Sequence, residues 1–406
     1  MIKNRLLILI FLYISILSNA QNNIKSIQLR GIENGDFSAI VPLGKTLELS
    51  FDDLNVDQKE YSYKIEHMTY DWKPSDLFSS EYISGFQEDR ISNMENSFNT
   101  FQNYTHYSIQ IPNKSTRITK TGNYIISVLN DLQQVVFKRR FTLYQKKTTV
   151  GVSLQQKRNT FSNKHKLDVQ FVINYNNNTI KNPSIEIEVA ILQNEDWNTA
   201  ITSIKPQYFK NNQLQYRYID RTTFWSGNEY LNFDNKQLRA STIKIAQATK
   251  KSIYHSYLYQ DDRRNEKFYT HNPDINGQFV VRNIEGFNPA SEADYAWVHF
   301  TLASEEIHNK GIYVYGAFNN FSLHPENKMN YNKSNQNYEA SLLLKQGFYN
   351  YTYVTKDQEG NLNLTELNGS FSQTENKYSV IVYYKAFGSR YYEAIGLGES
   401  YSNPQK

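Results

Sequence analysis

No cysteine occurs among the 406 residues. That absence rules out a disulfide framework, thiol catalysis, Cys-ligated zinc and a lipid-anchored cysteine after the leader. Long apolar runs are scarce too. The one at the start, Leu6 to Leu17, falls short of the roughly 20 residues that cross a bilayer. There is no Gly-rich phosphate loop, no dinucleotide-binding fingerprint and no G-x-S-x-G elbow. Charge of one sign is never concentrated. The formal net charge is +4 and the charges are mixed along the chain, so no basic stripe points to nucleic acid. Outside the leader, no stretch longer than roughly a dozen residues keeps a helical period.

What is present begins with a leader. Lys3 and Arg5 precede the apolar run, and Ser18-Asn19-Ala20 places small residues where a signal peptidase reads. The expectation is a signal peptide over 1–20, a mature start at Gln21 and an exported protein. An uncleaved anchor is the alternative. Roughly 386 residues remain, enough for two to three domains. A mean hydropathy of −0.66 would suit a disordered chain, but 32 Tyr and 23 Phe would not. Tyr suits strands with one wet face and wet interaction surfaces.

The dominant period is two, the strand period. Thr46 to Phe51 reads TLELSF, Tyr107 to Ile111 reads YSIQI, Tyr124 to Val128 reads YIISV and Val135 to Leu143 reads VVFKRRFTL. Turn residues separate them, as at Pro112-Asn113 and Thr121-Gly122-Asn123. The fold class expected is all-β, with tandem immunoglobulin-like sandwiches. The expected domains are an N-terminal sandwich over 21–147, a second sandwich with long loops over 148–290 and a third over 291–385. The third would be closed by Ser379 to Tyr384. A partly mobile tail over 386–406 would follow, because its end is rich in Gly, Ser, Asn and Pro.

Chemistry-bearing groups are thin. None of the eight His stands at i, i+2 or i, i+4 to another, the spacings at which paired imidazoles share a metal locally. Asn272-Pro273-Asp274-Ile275-Asn276-Gly277 resembles the start of a calcium loop, but its twelfth position is Asn283 where Glu is needed. A hairpin turn into Gln278 to Arg282 is the preferred reading, since it needs nothing further. The acidic pairs Asp52-Asp53, Asp261-Asp262 and Glu305-Glu306 point to opposite faces if they lie on strands, so they do not form an acid–base couple. Arg263-Arg264 reads as part of a surface ion network. Of the four Trp, Trp297 alternates like a core residue, while Trp225 sits in a polar-aromatic stretch suited to a surface. No catalytic residue, metal or cofactor is expected, and an enzyme is not expected.

Two resemblances add to this. Gly311 to Val354 resembles the early-set sugar-binding modules, carried by Gly316, Phe318, Asn319, Met329, Tyr338, Gly347, Tyr349 and Tyr351. That family usually has Trp where this chain has Phe321, so the match implies fold more than a sugar ligand. Glycan binding near Phe321 is the alternative function. The chain from about Ile24 to Tyr392 resembles the plug proteins of the type IX secretion system in Bacteroidetes. Tyr70 to Leu77 (YDWKPSDL), Glu81 to Phe86 (EYISGF), Met94 to Thr100 (MENSFNT), Tyr104 to Tyr107 (YTHY) and Trp225 to Tyr230 (WSGNEY) carry it. This resemblance implies a periplasmic protein without catalytic residues that docks under an outer-membrane β-barrel translocon and closes it between cargoes. It implies no direct membrane span. The loops Tyr70 to Phe86 and Met94 to Tyr107 are the expected barrel-facing surface, with Trp72, Phe86, Tyr104, Tyr107 and Trp225 as expected partner contacts.

Overall fold

A computed structural model describes residues 23–33, 35–55, 57–156, 165–176 and 180–403. The expected leader lies outside them. Strands dominate, and the only α-helices among the described residues are the four-residue turns Ser79–Tyr82, Pro183–Glu186 and Pro289–Glu292. No described helix is long and apolar enough to cross a membrane. The all-β expectation holds, with paired sheets stacked into sandwiches.

In the first sandwich one sheet runs in the order Ile24–Gly31, Leu47–Asp53, Thr105–Ile111, Asn93–Asn96. The other runs Ile40–Pro42, Val135–Tyr144, Gly122–Leu129, Ser62–Met68, Glu88–Arg90. Alternation sets the core. Leu47, Leu49 and Phe51 face Tyr63, Ile65, Tyr124 and Ile126 across the two sheets.

The rest of the chain is organised differently from the expected succession. The second sandwich pairs a sheet built on Thr149–Gln156 and Lys166–Asn174 with a sheet ordered Ile201–Thr202, Ile187–Gln193, Asn376–Tyr384, Glu393–Ser402. Its last two strands come from the end of the chain. The third sandwich, from Leu231–Asp234 to Leu362–Asn363, is therefore an insertion within the second. Ser379 to Tyr384 does not close the third domain. It pairs with Ile187–Gln193, from Ile187↔Tyr384 to Gln193↔Tyr378.

The expected mobile tail is likewise a paired strand. Glu393–Ser402 runs antiparallel to Asn376–Tyr384. Its glycines have a packing reason. A Cβ on Gly398 would sit 2.6 Å from Val150 Cγ1, and one on Gly396 would sit 2.2 Å from Thr148 Oγ1. Only Gly lets this strand pass so close to the start of the second sandwich.

The three sandwiches are tied to one another. Ile40 and Tyr144 of the first share a cluster with Leu192, Ile381, Tyr383 and Ala394 of the second. There Tyr383 donates to Asn123 Oδ1 at 2.8 Å, and the Gln145 and Lys147 amides donate to the Ala394 and Ile395 carbonyls. The second and third meet where Tyr315 donates to Asp196 Oδ2 at 2.7 Å. The first and third meet at a buried ion cluster. Lys345 Nζ lies 2.7 Å from Asp52 Oδ2, Tyr295 donates to the same oxygen at 2.6 Å and His106 Nδ1 lies 2.6 Å from Asp52 Oδ1. With each sandwich braced against the other two, relative motion of the domains is opposed at three separate interfaces.

Candidate partner-binding surface

The structure divides the five expected contact residues. Tyr107 belongs to the core of the first sandwich. Its ring stacks on Phe51 at 5.1 Å, and its hydroxyl donates to the Lys59 carbonyl at 2.9 Å. Tyr104 is buried between the first and third sandwiches. It donates to the Ala293 carbonyl at 2.7 Å, and the Lys345 ammonium lies 4.0 Å over its ring. Neither is free to touch a partner: Tyr107 points into the core from the central strand Thr105–Ile111, and Tyr104, just before that strand, is covered by the third sandwich. Trp72 is half-buried. Its backbone adopts φ +65°, its ring meets Trp197 edge to face at 4.7 Å, and the Arg140 guanidinium lies 4.7 Å above it. It packs the first sandwich on the second.

Phe86 and Trp225 are presented to solvent. Phe86 is held by its backbone, with its N–H donating to the Ser115 carbonyl and its carbonyl accepting from Thr116 Oγ1, while its ring is 66% exposed. Trp225 carries the Lys166 ammonium 4.2 Å above its ring and is also exposed.

Tyr104 and Tyr107 thus build the fold, and other side chains of the same loop face outward. Within Met94 to Tyr107 the rings that face outward are Phe98 and Phe101, at 69% and 48% exposure. They meet a loop of the third sandwich bearing Ile284 and the fully exposed Phe287. Phe98, Phe101, Leu238, Tyr254 and Phe287 line a 260 Å³ hollow between the two domains. Two carboxylates fix the backbone beneath these rings. Asp294 accepts from the amides of Phe101 and Gln102 at 2.8 and 3.1 Å. Glu292 accepts from the amides of Phe287 and Asn288. The Lys250 ammonium stands 3.4 Å over the Phe101 ring. Single exposed apolar residues are ordinary; here several stand together on pinned loops around a hollow, which makes this the candidate surface. The sequence signal was available: Phe98 sits in Asn96-Ser97-Phe98-Asn99-Thr100, with turn-forming neighbours and φ +58° at Asn99.

Among the described residues no group of three His, Cys, Asp or Glu could hold a metal. His255 and His299 meet from neighbouring strands with Nδ1 to Nε2 at 2.9 Å, but the next contact of His299 is Ser341 Oγ. Their 44-residue separation hid the pairing from a reading of local spacing. Phe321 does not stand as an open sugar platform. It tilts against Tyr315 at 5.3 Å, and its carbonyl accepts from Asn198. Tyr331 packs on Tyr338 at 5.0 Å.

The Asp274 to Gly277 segment is a turn, closed by the Gln278 N–H donating to the Ile275 carbonyl. Asp274 accepts from the amides of Tyr230 and Asn276. Burial, with Glu229 and Glu375 nearby, pushes its pKa up to about 7 from 3.8. A carboxylate raised on folding holds its proton in the folded chain after the unfolded chain has released it. Its contribution to stability is thus full below about pH 4 and is lost as pH rises to about 7. Asp274→Asn is expected to flatten this dependence. The difference in urea midpoint between pH 5 and pH 8 should shrink in the variant relative to wild type.

Three cross-braced sandwiches, with exposed aromatic rings on pinned loops, define the class: a multi-domain all-β sandwich protein. Residues 24–145 match the model for the type 9 secretion system plug protein 1st domain. A solved structure of a hypothetical protein from Parabacteroides merdae ATCC 43184 is similar over 93% of this chain and 97% of that one, at 30% identity and a TM-score of 0.89. No curated protein matches. The chain belongs to the type 9 secretion system plug protein family.

Proposed function

We propose that the protein is a periplasmic plug that docks on the periplasmic opening of the outer-membrane translocon barrel and keeps it closed when no cargo passes, with no enzymatic role. One observation carries the reading: the Phe98, Phe101 and Phe287 cluster, spanning two domains on backbones pinned by Asp294 and Glu292. A closure for a wide pore must be broad and stiff. The cross-braced sandwiches supply that body without disulfides. It must also let go, and a patch of a few aromatic anchors with a polar surround suits a reversible contact better than a continuous apolar face.

Co-purification with the barrel from detergent-solubilised outer membrane tests this. The combined variant Phe98→Ser, Phe101→Ser, Phe287→Ser should lose the barrel while keeping the wild-type melting temperature. Each anchor is expected to weaken binding by roughly 10-fold or more, as central aromatic anchors do. Retention of the barrel by the folded triple variant would move the docking face elsewhere.

A further inference from the structure

The first sandwich is open along one side, where each sheet ends in a strand with an unused edge. Ile24–Gly31 pairs only with Leu47–Asp53. Val135–Tyr144 pairs with Gly122–Leu129 along its length, but on its other side it meets Ile40–Pro42 only from Thr142 to Tyr144. The direction of the free groups follows from the bonds that are made. The Thr142 N–H donates outward to the Ala39 carbonyl, and the Tyr144 carbonyl accepts from the Leu43 N–H. Alternate residues of a strand point their N–H and C=O groups the same way. Lys138 and Arg140 therefore present theirs outward too, and no described strand takes them up.

Between those two positions the side-chain pattern breaks. Phe137, Phe141 and Leu143 face the core from this strand, and alternation sends Arg139 the same way. Its guanidinium donates to the Lys138 carbonyl at 2.9 Å and lies near the Phe137 ring. Among the described residues no carboxylate pairs with it, and burial pulls its pKa down to about 10. Arg139 is partly exposed at the open side of the sandwich, where its guanidinium is accessible to an incoming anion.

Arg139 also lies where two cavities meet. One, of 470 Å³, is bordered by Arg30 and Arg140. The other, of 570 Å³, is bordered by the apolar Ile24, Val136 and Phe318. Ile27, Lys138, Arg139 and Phe279 line both, so they form one groove between the open side of the first sandwich and the third domain. The carboxylates at its far end are taken. Glu195 pairs with Lys377, and Asp196 accepts from Tyr315.

We propose that this groove takes an extended acidic segment of a partner polypeptide as an added strand. Its backbone would pair with Lys138 and Arg140, a carboxylate would fork onto Arg139, and an apolar side chain would enter the cavity bordered by Ile24, Val136 and Phe318. The outward N–H groups of Lys138 and Arg140, two residues apart, and the Arg140 carbonyl select an extended chain. The Arg139 guanidinium, which has no described carboxylate beside it, selects one. The apolar half of the lining selects a polypeptide over a simple anion. This site stands apart from the aromatic patch and does not rest on the barrel-docking reading.

The test is display selection of random eight-residue peptides on purified protein comprising residues 21–406. Enriched peptides should alternate Asp or Glu with apolar residues and exclude proline. A synthetic peptide of the enriched sequence should bind Arg139→Gln at least 10-fold more weakly, with Arg139→Lys intermediate. Lys138→Pro removes an N–H that has no native partner and should abolish binding. Bound peptide should slow amide hydrogen exchange over residues 136–140 of the wild-type protein, a readout independent of any variant's folding. Selection without an acidic preference or without enrichment, or unchanged exchange in that strand, would overturn the proposal. So would displacement of the peptide by inorganic phosphate alone, which would leave only an anion site.

Discussion

Replacing Lys345 by Ala is expected to destabilise the protein by about 3–5 kcal/mol, the cost of leaving one member of a buried ion pair uncompensated. Asp52 and Lys345 are both fully buried, at 0% and 1% side-chain exposure. Although burial works against the charge, Lys345 and His106 hold the Asp52 carboxyl below its ordinary range. Removing the ammonium strands that charge between the first and third sandwiches. It also removes a donor from the Ala290 carbonyl and a cation from the face of Tyr104. The double variant Asp52→Asn, Lys345→Met should recover much of the loss, because it deletes the charge together with its partner. Urea unfolding followed by tyrosine fluorescence measures both. A Lys345→Ala loss below about 1 kcal/mol, the range of exposed pairs, would mean that the cluster is wetter and looser than described.

Tyr107→Ala should cost about 3–5 kcal/mol, the range for deleting a large aromatic from a core. The ring is fully buried and stacked on Phe51, with Tyr61 edge to face at 5.0 Å. Tyr107→Phe keeps the packing and loses the hydroxyl, which both accepts from the Lys59 N–H and donates to the Lys59 carbonyl. It should cost about 1–3 kcal/mol, the penalty for leaving buried partners unsatisfied. Phe86→Ser, on an exposed ring, should stay within about 0.5 kcal/mol. The same denaturation series measures all three. It separates residues that build the first sandwich from residues that could meet a partner, a distinction on which any binding assay of these loops depends.

Strand alternation made the fold class legible, since a period of two survives whatever sheet a strand joins. The nesting of the third sandwich inside the second was not legible for the same reason. Tyr378 to Tyr384 alternates identically whether it pairs with Ile187–Gln193 or with a neighbour in the third domain, so local pattern carries no information about its partner. The last strand was hidden by composition. Gly396 and Gly398 look like tail residues in sequence and are close-approach residues in space. The candidate surface was half legible. The loop Met94 to Tyr107 stands out by its residues, but a Tyr with a polar tip reads as a surface residue even when, as at Tyr104 and Tyr107, the tip is satisfied by a backbone carbonyl indoors. Phe98 and Phe101 lie outside, and only the turn-forming neighbours of Phe98 hinted at it. The Arg139 groove could not be found from sequence at all, because its unusual feature is a core-facing guanidinium without a described carboxylate beside it.

Closure of a barrel is the central claim, and outer-membrane permeability tests it most directly. Deleting the gene in cells with an idle secretion system should admit a large hydrophilic antibiotic such as vancomycin. A second deletion that also removes the translocon barrel should restore exclusion, and re-expression of the intact chain should do so in the single mutant. If the single deletion leaves the membrane as tight as wild type while the barrel is present, the protein does not close it.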